Sequence, residues 1–164
     1  MAILASRHLH GYGVNAKVAA TEPGKLRRME QPLIMLIDDE FGVRESLKMV
    51  FSREYRVIEA DSLAAAIPKI VESRPQLVLL DVLMPGTDGL TALQQIKQLH
   101  PHCAVIMLTG VNSQQLADKA IELGASDFVG KPFDIVDLRQ KVSRALECSA
   151  QPAAEPRAAE WRPK

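Results

Sequence analysis

Read for its apolar and polar positions, the chain starts to order itself at residue 33. Leu33 to Ile37 is an unbroken apolar run closed by Asp38, Asp39 and Glu40. A run that short, with acids at its carboxyl end, predicts a buried strand. Helical spacing follows at Val43, Leu47, Val50 and Phe51, and then a short second strand over Tyr55 to Glu59. Leu63, Ala66, Ile67, Ile70 and Val71 recur at helical spacing with Ser62 as N-cap, which predicts a helix over Ser62 to Ser73. Pro68 lies inside it. A proline there removes a hydrogen bond and costs about 3 kcal/mol, so a kink or irregularity is expected between Ala64 and Pro68.

The stretch Leu77 to Gly89, LVLLDVLMPGTDG, is apolar up to Asp81 and is bounded by Pro75 and by Pro85, Gly86 and Gly89. It predicts a strand buried on both faces, ending in Asp81 and followed by a short Met-Pro turn. Leu90, Leu93, Ile96 and Leu99 make the next helix, which Pro101 stops. Ala104 to Leu108 is a fourth strand ending in Thr109-Gly110. Leu116, Ala120, Ile121 and Leu123 form a helical stripe with Gly124 as its C′ residue. A short fifth strand over Ser126 to Val129 leads into Gly130-Lys131-Pro132-Phe133. The last helix starts at Asp134, has Asp137 in its first turn, and carries a stripe of Ile135, Leu138, Val142, Ala145 and Leu146.

Strand and helix therefore alternate five times, the signature of an α/β class, doubly wound parallel sheet with helices on both faces. Right-handed crossovers then collect every strand end on one rim. That rim holds Asp38 and Asp39 from the first strand, Asp81 from the third, Thr109 from the fourth and Lys131 from the fifth.

Composition adds boundaries to this pattern. A chain of 164 residues that is 47% hydrophobic supports one well-cored domain with tails. Residues 1–30 show no periodicity and are expected to be a disordered extension, with the domain over 31–148 and an Ala/Pro-rich tail over 149–164. Met29, just before the first strand, is an alternative start. No apolar run reaches the roughly 18 residues of a membrane span, and the first residues lack the pattern of a secretory signal, so the cytoplasm is the expected location. Cys103 and Cys148 have no metal-ligand spacing and are expected to be free thiols.

The formal net charge of zero hides a division. Met1 to Arg28 has a balance of +4, Met29 to Glu147 has twelve basic and seventeen acidic residues, and Cys148 to Lys164 has a balance of +1. An acidic body argues against direct nucleic-acid binding, which demands clustered Lys and Arg, and suits a bound cation.

Taken singly, each rim group has a plain structural role: Asp-Asp as a helix-start cap, Thr-Gly as a turn, Lys131 as a solvated charge, Asp81 as a turn aspartate. Together they have a chemistry. Carboxylates converging near 4 Å repel by about 4 kcal/mol per pair at an effective dielectric near 20, so the site needs a cation. With only oxygen ligands on offer, Mg²⁺ answers that need. A nucleophilic carboxylate, a metal, a lysine and a hydroxyl make an electrostatic cradle for phosphoryl transfer to aspartate.

The motifs IDDE at 37–40, LLDVLMPGTDGL at 79–90, MLTG at 107–110 and DFVGKPF at 127–133 resemble those of the receiver domain of two-component response regulators. The resemblance covers Leu33 to Glu147. It implies a flavodoxin-like sheet of order 2-1-3-4-5. It further implies a phosphoprotein rather than an ordinary enzyme: Asp81 would accept a phosphoryl group from a sensor histidine kinase or phosphotransfer protein, catalysing that transfer and a slow self-dephosphorylation itself. Asp39 and Asp81 would bind Mg²⁺ directly with the Leu83 carbonyl, and Asp38 would act through water. Thr109 and Lys131 would hold the phosphoryl oxygens, and Lys131-Pro132 would be a cis peptide. Thr109 and Phe128 would form the switch, read by a downstream protein target on the face of the fourth helix, fifth strand and fifth helix. Phosphorylation-driven dimerisation through that face stays open. Leu83 and Val111, two residues beyond Asp81 and Thr109, are apolar where family members tune the phosphate's lifetime.

Three other functions meet obstacles in the sequence. A haloacid-dehalogenase-type phosphatase would have an acid where Leu83 stands. A flavodoxin-like cofactor binder would have a phosphate loop where this chain has Asp-Asp-Glu. A DNA-binding regulator needs a further folded segment, and after Glu147 the given chain offers only the tail with Trp161. The remaining alternative is a phosphorylation-independent signalling scaffold of the same fold.

Overall fold

The five apolar runs meet edge to edge in one parallel sheet. In this computed structural model, which describes residues 31–110 and 113–150, the chain order is β1 (Leu33–Ile37), α1 (Phe41–Phe51), β2 (Arg56–Ala60), α2 (Leu63–Ser73), β3 (Leu77–Asp81), α3 (Gly89–Leu99), β4 (Ala104–Thr109), α4 (Gln114–Glu122), β5 (Asp127–Gly130) and α5 (Ile135–Ala150). The strand order is β2-β1-β3-β4-β5, with every neighbouring pair parallel. This is the predicted topology. The expected extension over 1–30 with Met29, the residue Val111, and the tail beyond residue 150 lie outside the described residues.

Side chains alternate across a strand, and both faces of this sheet are covered. Ile34 and Leu36 of β1, Leu77 and Leu79 of β3, Ile106 and Leu108 of β4 and Val129 of β5 pack under α1 and α5, against Leu47, Phe51, Leu138 and Val142. Met35, Ile37, Val78, Leu80, Val105 and Met107 point the other way, against Ala66, Ile70, Leu93, Ile96 and Ala120 of α2, α3 and α4. Continuing each stripe past the strand ends puts Asp38, Asp81 and Lys131 on the α1/α5 side. Thr109 and Phe128 continue the other.

The caps follow the sequence. The Ser62 hydroxyl accepts the Ala65 N–H at 3.3 Å. The Asp134 Oδ1 accepts the Val136 and Asp137 N–H groups at 2.7 and 3.0 Å. Gly124 takes the left-handed φ of +92° that ends α4.

Two details depart from expectation. The helix α2 runs unbroken through Pro68. Both Pro68 and Ala64, whose carbonyl loses its donor, lie on the exposed face, where water can take that carbonyl. The Met-Pro turn after β3 is a miniature antiparallel hairpin, Leu83–Met84 against Thr87–Asp88. Pro85 and Gly86 form its turn, and Gly86 has φ +72°, the signature of a type II turn.

Both cysteines are free, Cys103 buried and Cys148 exposed. Burial pushes the Cys103 thiol up to about 12, against a weaker opposing pull from Lys97. In the native protein near pH 8, a thiol reagent is therefore expected to modify Cys148 quickly and Cys103 only after unfolding; rapid modification of two thiols per chain would contradict this burial.

Candidate functional site

Strand register brings the site together. Ile37 pairs with Leu80, so the next residues, Asp38 and Asp81, emerge side by side at the carboxyl rim. Asp81 itself pairs with Leu108, and Thr109 pairs with Gly130, which places Lys131 one residue beyond. The Lys131 N–H donates to the Thr109 carbonyl, extending the ladder.

Two of the acids and the threonine are deeply placed: Asp38 is 1% exposed, Asp81 2% and Thr109 0%, whereas Asp39 and Glu40 are exposed. The Asp81 Oδ1 accepts the Leu83 N–H at 3.1 Å, and its Oδ2 accepts the Lys131 Nζ at 3.1 Å. The Asp38 Oδ1 accepts the Glu40 N–H at 2.8 Å, and its Oδ2 accepts the same ammonium at 2.8 Å. Glu40 Oε1 is 3.7 Å from Lys131 Nζ. Burial alone would lower the Lys131 pKa; the hydrogen bonds and charges of Asp38 and Asp81 outweigh it and hold the ammonium above the usual lysine value.

Behind the site, the Arg44 guanidinium donates to the Asp38 and Asp39 carbonyls at 2.7 and 3.1 Å. It lies over the Phe41 ring, 5.8 Å from its centroid. This cation fixes the backbone that carries three consecutive acids.

Carboxylate oxygens of Asp38, Glu40 and Asp81 all lie within 4.8 Å of one another. One ammonium among three carboxylates leaves two negative charges uncompensated, and a hard divalent cation with oxygen ligands fits that deficit. Two grooves flank this centre. One, of about 600 Å³, is lined by Asp39, Val82, Leu83, Met84 and Leu116 among others. The other, of about 500 Å³, is lined by Glu40, Val43, Ser46, Lys131, Pro132 and Phe133 among others. Of the residues assigned from sequence, Asp38, Asp81 and Lys131 are in contact. Thr109 stands at the next strand end, and Asp39 lies to the side with Leu83. The Lys131–Pro132 peptide is cis.

Residues 34–143 match the family described as the response regulator receiver domain. The chain belongs to that family. As a receiver, it is similar to sporulation initiation phosphotransferase F of Bacillus subtilis, 35% identical over 114 residues, which cover 69% of this chain and 92% of that protein. It is 34% identical to the chemotaxis protein CheY of the same organism over 115 residues, 69% of this chain and 96% of the relative. Among solved structures, the receiver domain of NtrX from Brucella abortus superposes with a TM-score of 0.66 at 36% identity, over 70% of this chain and 98% of that one. A response regulator receiver domain protein from Clostridium thermocellum gives 0.68 at 29% identity, over 71% and 95%. The chain is thus a phosphoacceptor response regulator of a two-component system. Among the described residues of this receiver, no helix is long and apolar enough to cross a membrane.

Phe128 of the receiver is half-buried against the α2, α3 and α4 layer, on the same sheet face as Thr109. Sequence reasoning passed over Glu40 and Arg44. Glu40 was visible as the third acid of a run. Arg44 carried no signal, because its partners are backbone carbonyls and any residue type supplies those.

Proposed function

We propose that the Asp81 carboxylate takes its phosphoryl group from a phosphohistidine on a sensor histidine kinase or phosphotransfer protein. A carboxylate oxygen of Asp81 forms the new P–O bond as the P–N bond breaks, and the electron pair stays on the donor imidazole, which then takes up a proton. The observation that carries this assignment is the Lys131 ammonium shared by two buried carboxylates, Asp38 and Asp81. Lys131 is free to exchange a carboxylate for a phosphoryl oxygen, and the Thr109 hydroxyl offers a second donor. Asp39, Asp81 and the Leu83 carbonyl would hold Mg²⁺, with Asp38 acting through water. Bound there, Mg²⁺ supplies neutralisation of charge on the transferring oxygens.

The switch in this proposal is Thr109 with Phe128, and the face of α4, β5 and α5 meets the downstream protein. Phe128 has no hydroxyl, so burial alone would hold an inward position. A phosphorylation-independent scaffold has no need of this assembled set of acceptor groups.

Incubation with a small-molecule phosphodonor and Mg²⁺, followed by intact-mass measurement, tests the proposal. One addition of about 80 Da, the mass of a phosphoryl group, is expected, and it should vanish when the metal is chelated. An unmodified protein under both conditions would overturn the proposal.

The lifetime of the product follows from Leu83, which is 54% exposed at the mouth of the hairpin groove. A leucine there cannot orient an attacking water. Self-dephosphorylation is expected to be slow, and a phosphoryl half-life of seconds with Mg²⁺ present would contradict that.

A further inference from the structure

The two grooves divide the acids of the β1–α1 loop between them. Asp39 shares its groove with Leu83. Glu40 shares the other with Lys131. Neighbouring residues thus face different grooves: Glu40 stands beside the Lys131 ammonium, and Asp39 lies on the side where the metal is proposed.

Lys131 Nζ is 2.8 Å from Asp38, 3.1 Å from Asp81 and 3.7 Å from Glu40. Asp81 would also ligate the proposed divalent cation, and Asp38 would reach it through water, so metal and ammonium contest them. Two cations drawn to the same buried pair repel each other. Lys131 then needs a further anion that it can reach without leaving the site. Glu40 meets that need: its backbone N–H is tied to the Asp38 Oδ1 at 2.8 Å. Its side chain is 64% exposed and can follow the ammonium. The short approach of the Glu40 carboxylate to Asp38 and Asp81 has Lys131 at its middle.

We infer that Glu40 is a positioning residue, the carboxylate onto which Lys131 moves when a divalent cation is bound, and that it is not itself a metal ligand. The inference rests on the phosphoacceptor site proposed above. Lys131 is then held beside Asp81 by an exposed partner, from which it passes readily to a phosphoryl oxygen. Holding it through a surface carboxylate keeps the exchange cheap, since exposed ion pairs are weak.

The test is Mn²⁺ affinity, read from the electron paramagnetic resonance signal of free ion, for the parent, Glu40→Gln and Glu40→Asp. Each is measured with Lys131 present and with Lys131→Met, and Lys131→Gln serves if circular dichroism shows the methionine variant unfolded. With Lys131 present, both Glu40 variants are expected to bind Mn²⁺ about fivefold more weakly, Asp because it is one methylene too short. Without Lys131, the same substitutions should change affinity by less than about twofold. A loss that persists without Lys131 would make Glu40 a metal ligand and overturn the inference. Full affinity in Glu40→Asp would reduce the effect to net charge and also overturn it. A parent that binds no Mn²⁺ would overturn the proposed metal site as well, which separates that failure from the other two.

Discussion

Asp81→Asn will take up no phosphoryl group from a small-molecule donor under conditions that label the parent. The substitution keeps the shape of the side chain and an oxygen for the Leu83 N–H, which the Asp81 Oδ1 now accepts at 3.1 Å. It removes the proposed anionic nucleophile and one of the two buried charges that hold Lys131. Asparagine has no oxygen basic enough to form the P–O bond, so the expected loss is total within detection, at least about a thousandfold in rate. The cap and core contacts are untouched, and the variant should melt cooperatively. Intact-mass measurement on a folded Asp81→Asn protein decides the matter, and a full phosphoryl addition elsewhere on the chain would move the acceptor away from Asp81.

Gly89→Ala will carry the largest stability loss of any single-methyl change near the site. A Cβ at Gly89 would lie 2.7 Å from the Val82 Cα and 2.9 Å from its carbonyl oxygen. These are backbone atoms, and Val82 is tied to β4 by its N–H bond to the Leu108 carbonyl at 2.8 Å. Neither side can yield without moving the residue that follows Asp81. Overpacking of this kind costs about 3 kcal/mol, the upper end of the usual range. Urea denaturation should show that drop, together with slower phosphorylation of the folded fraction. Parent-like stability would mean that the start of α3 can shift away from the hairpin.

The fold was legible because the strands are short apolar runs with punctuated ends. Leu33–Ile37 and Leu77–Asp81 occupy the spans that their composition predicts. The edge strand β2 is displaced by one residue from the predicted Tyr55 to Glu59, to Arg56–Ala60. On an edge, polar residues such as Arg56 and Glu59 are tolerated, so hydrophobicity marks the ends poorly. The hairpin at Leu83–Met84 and Thr87–Asp88 escaped notice because two-residue strands have no period to detect.

The site was half legible. Alternation along the strands already puts Asp38, Asp81 and Lys131 on one side of the sheet and Thr109 with Phe128 on the other. What sequence cannot show is the path of the β1–α1 loop. There Glu40 has an extended backbone with φ −79° and ψ 109°, and Asp39 and Glu40 come to line different grooves. That separation depends on carbonyls held by Arg44, a side chain of the following helix that bonds backbone five and six residues behind it.

The two-sided sheet has a consequence for traffic at this protein. The groove beside Lys131 opens between α1 and the segment leading into α5, whereas Phe128 packs toward the layer that includes α4. A donor bringing phosphate and a listener gripping α4 would approach from different layers. If the proposed faces are the ones used, the two would not evict each other, and the chain would be charged while its audience is already seated.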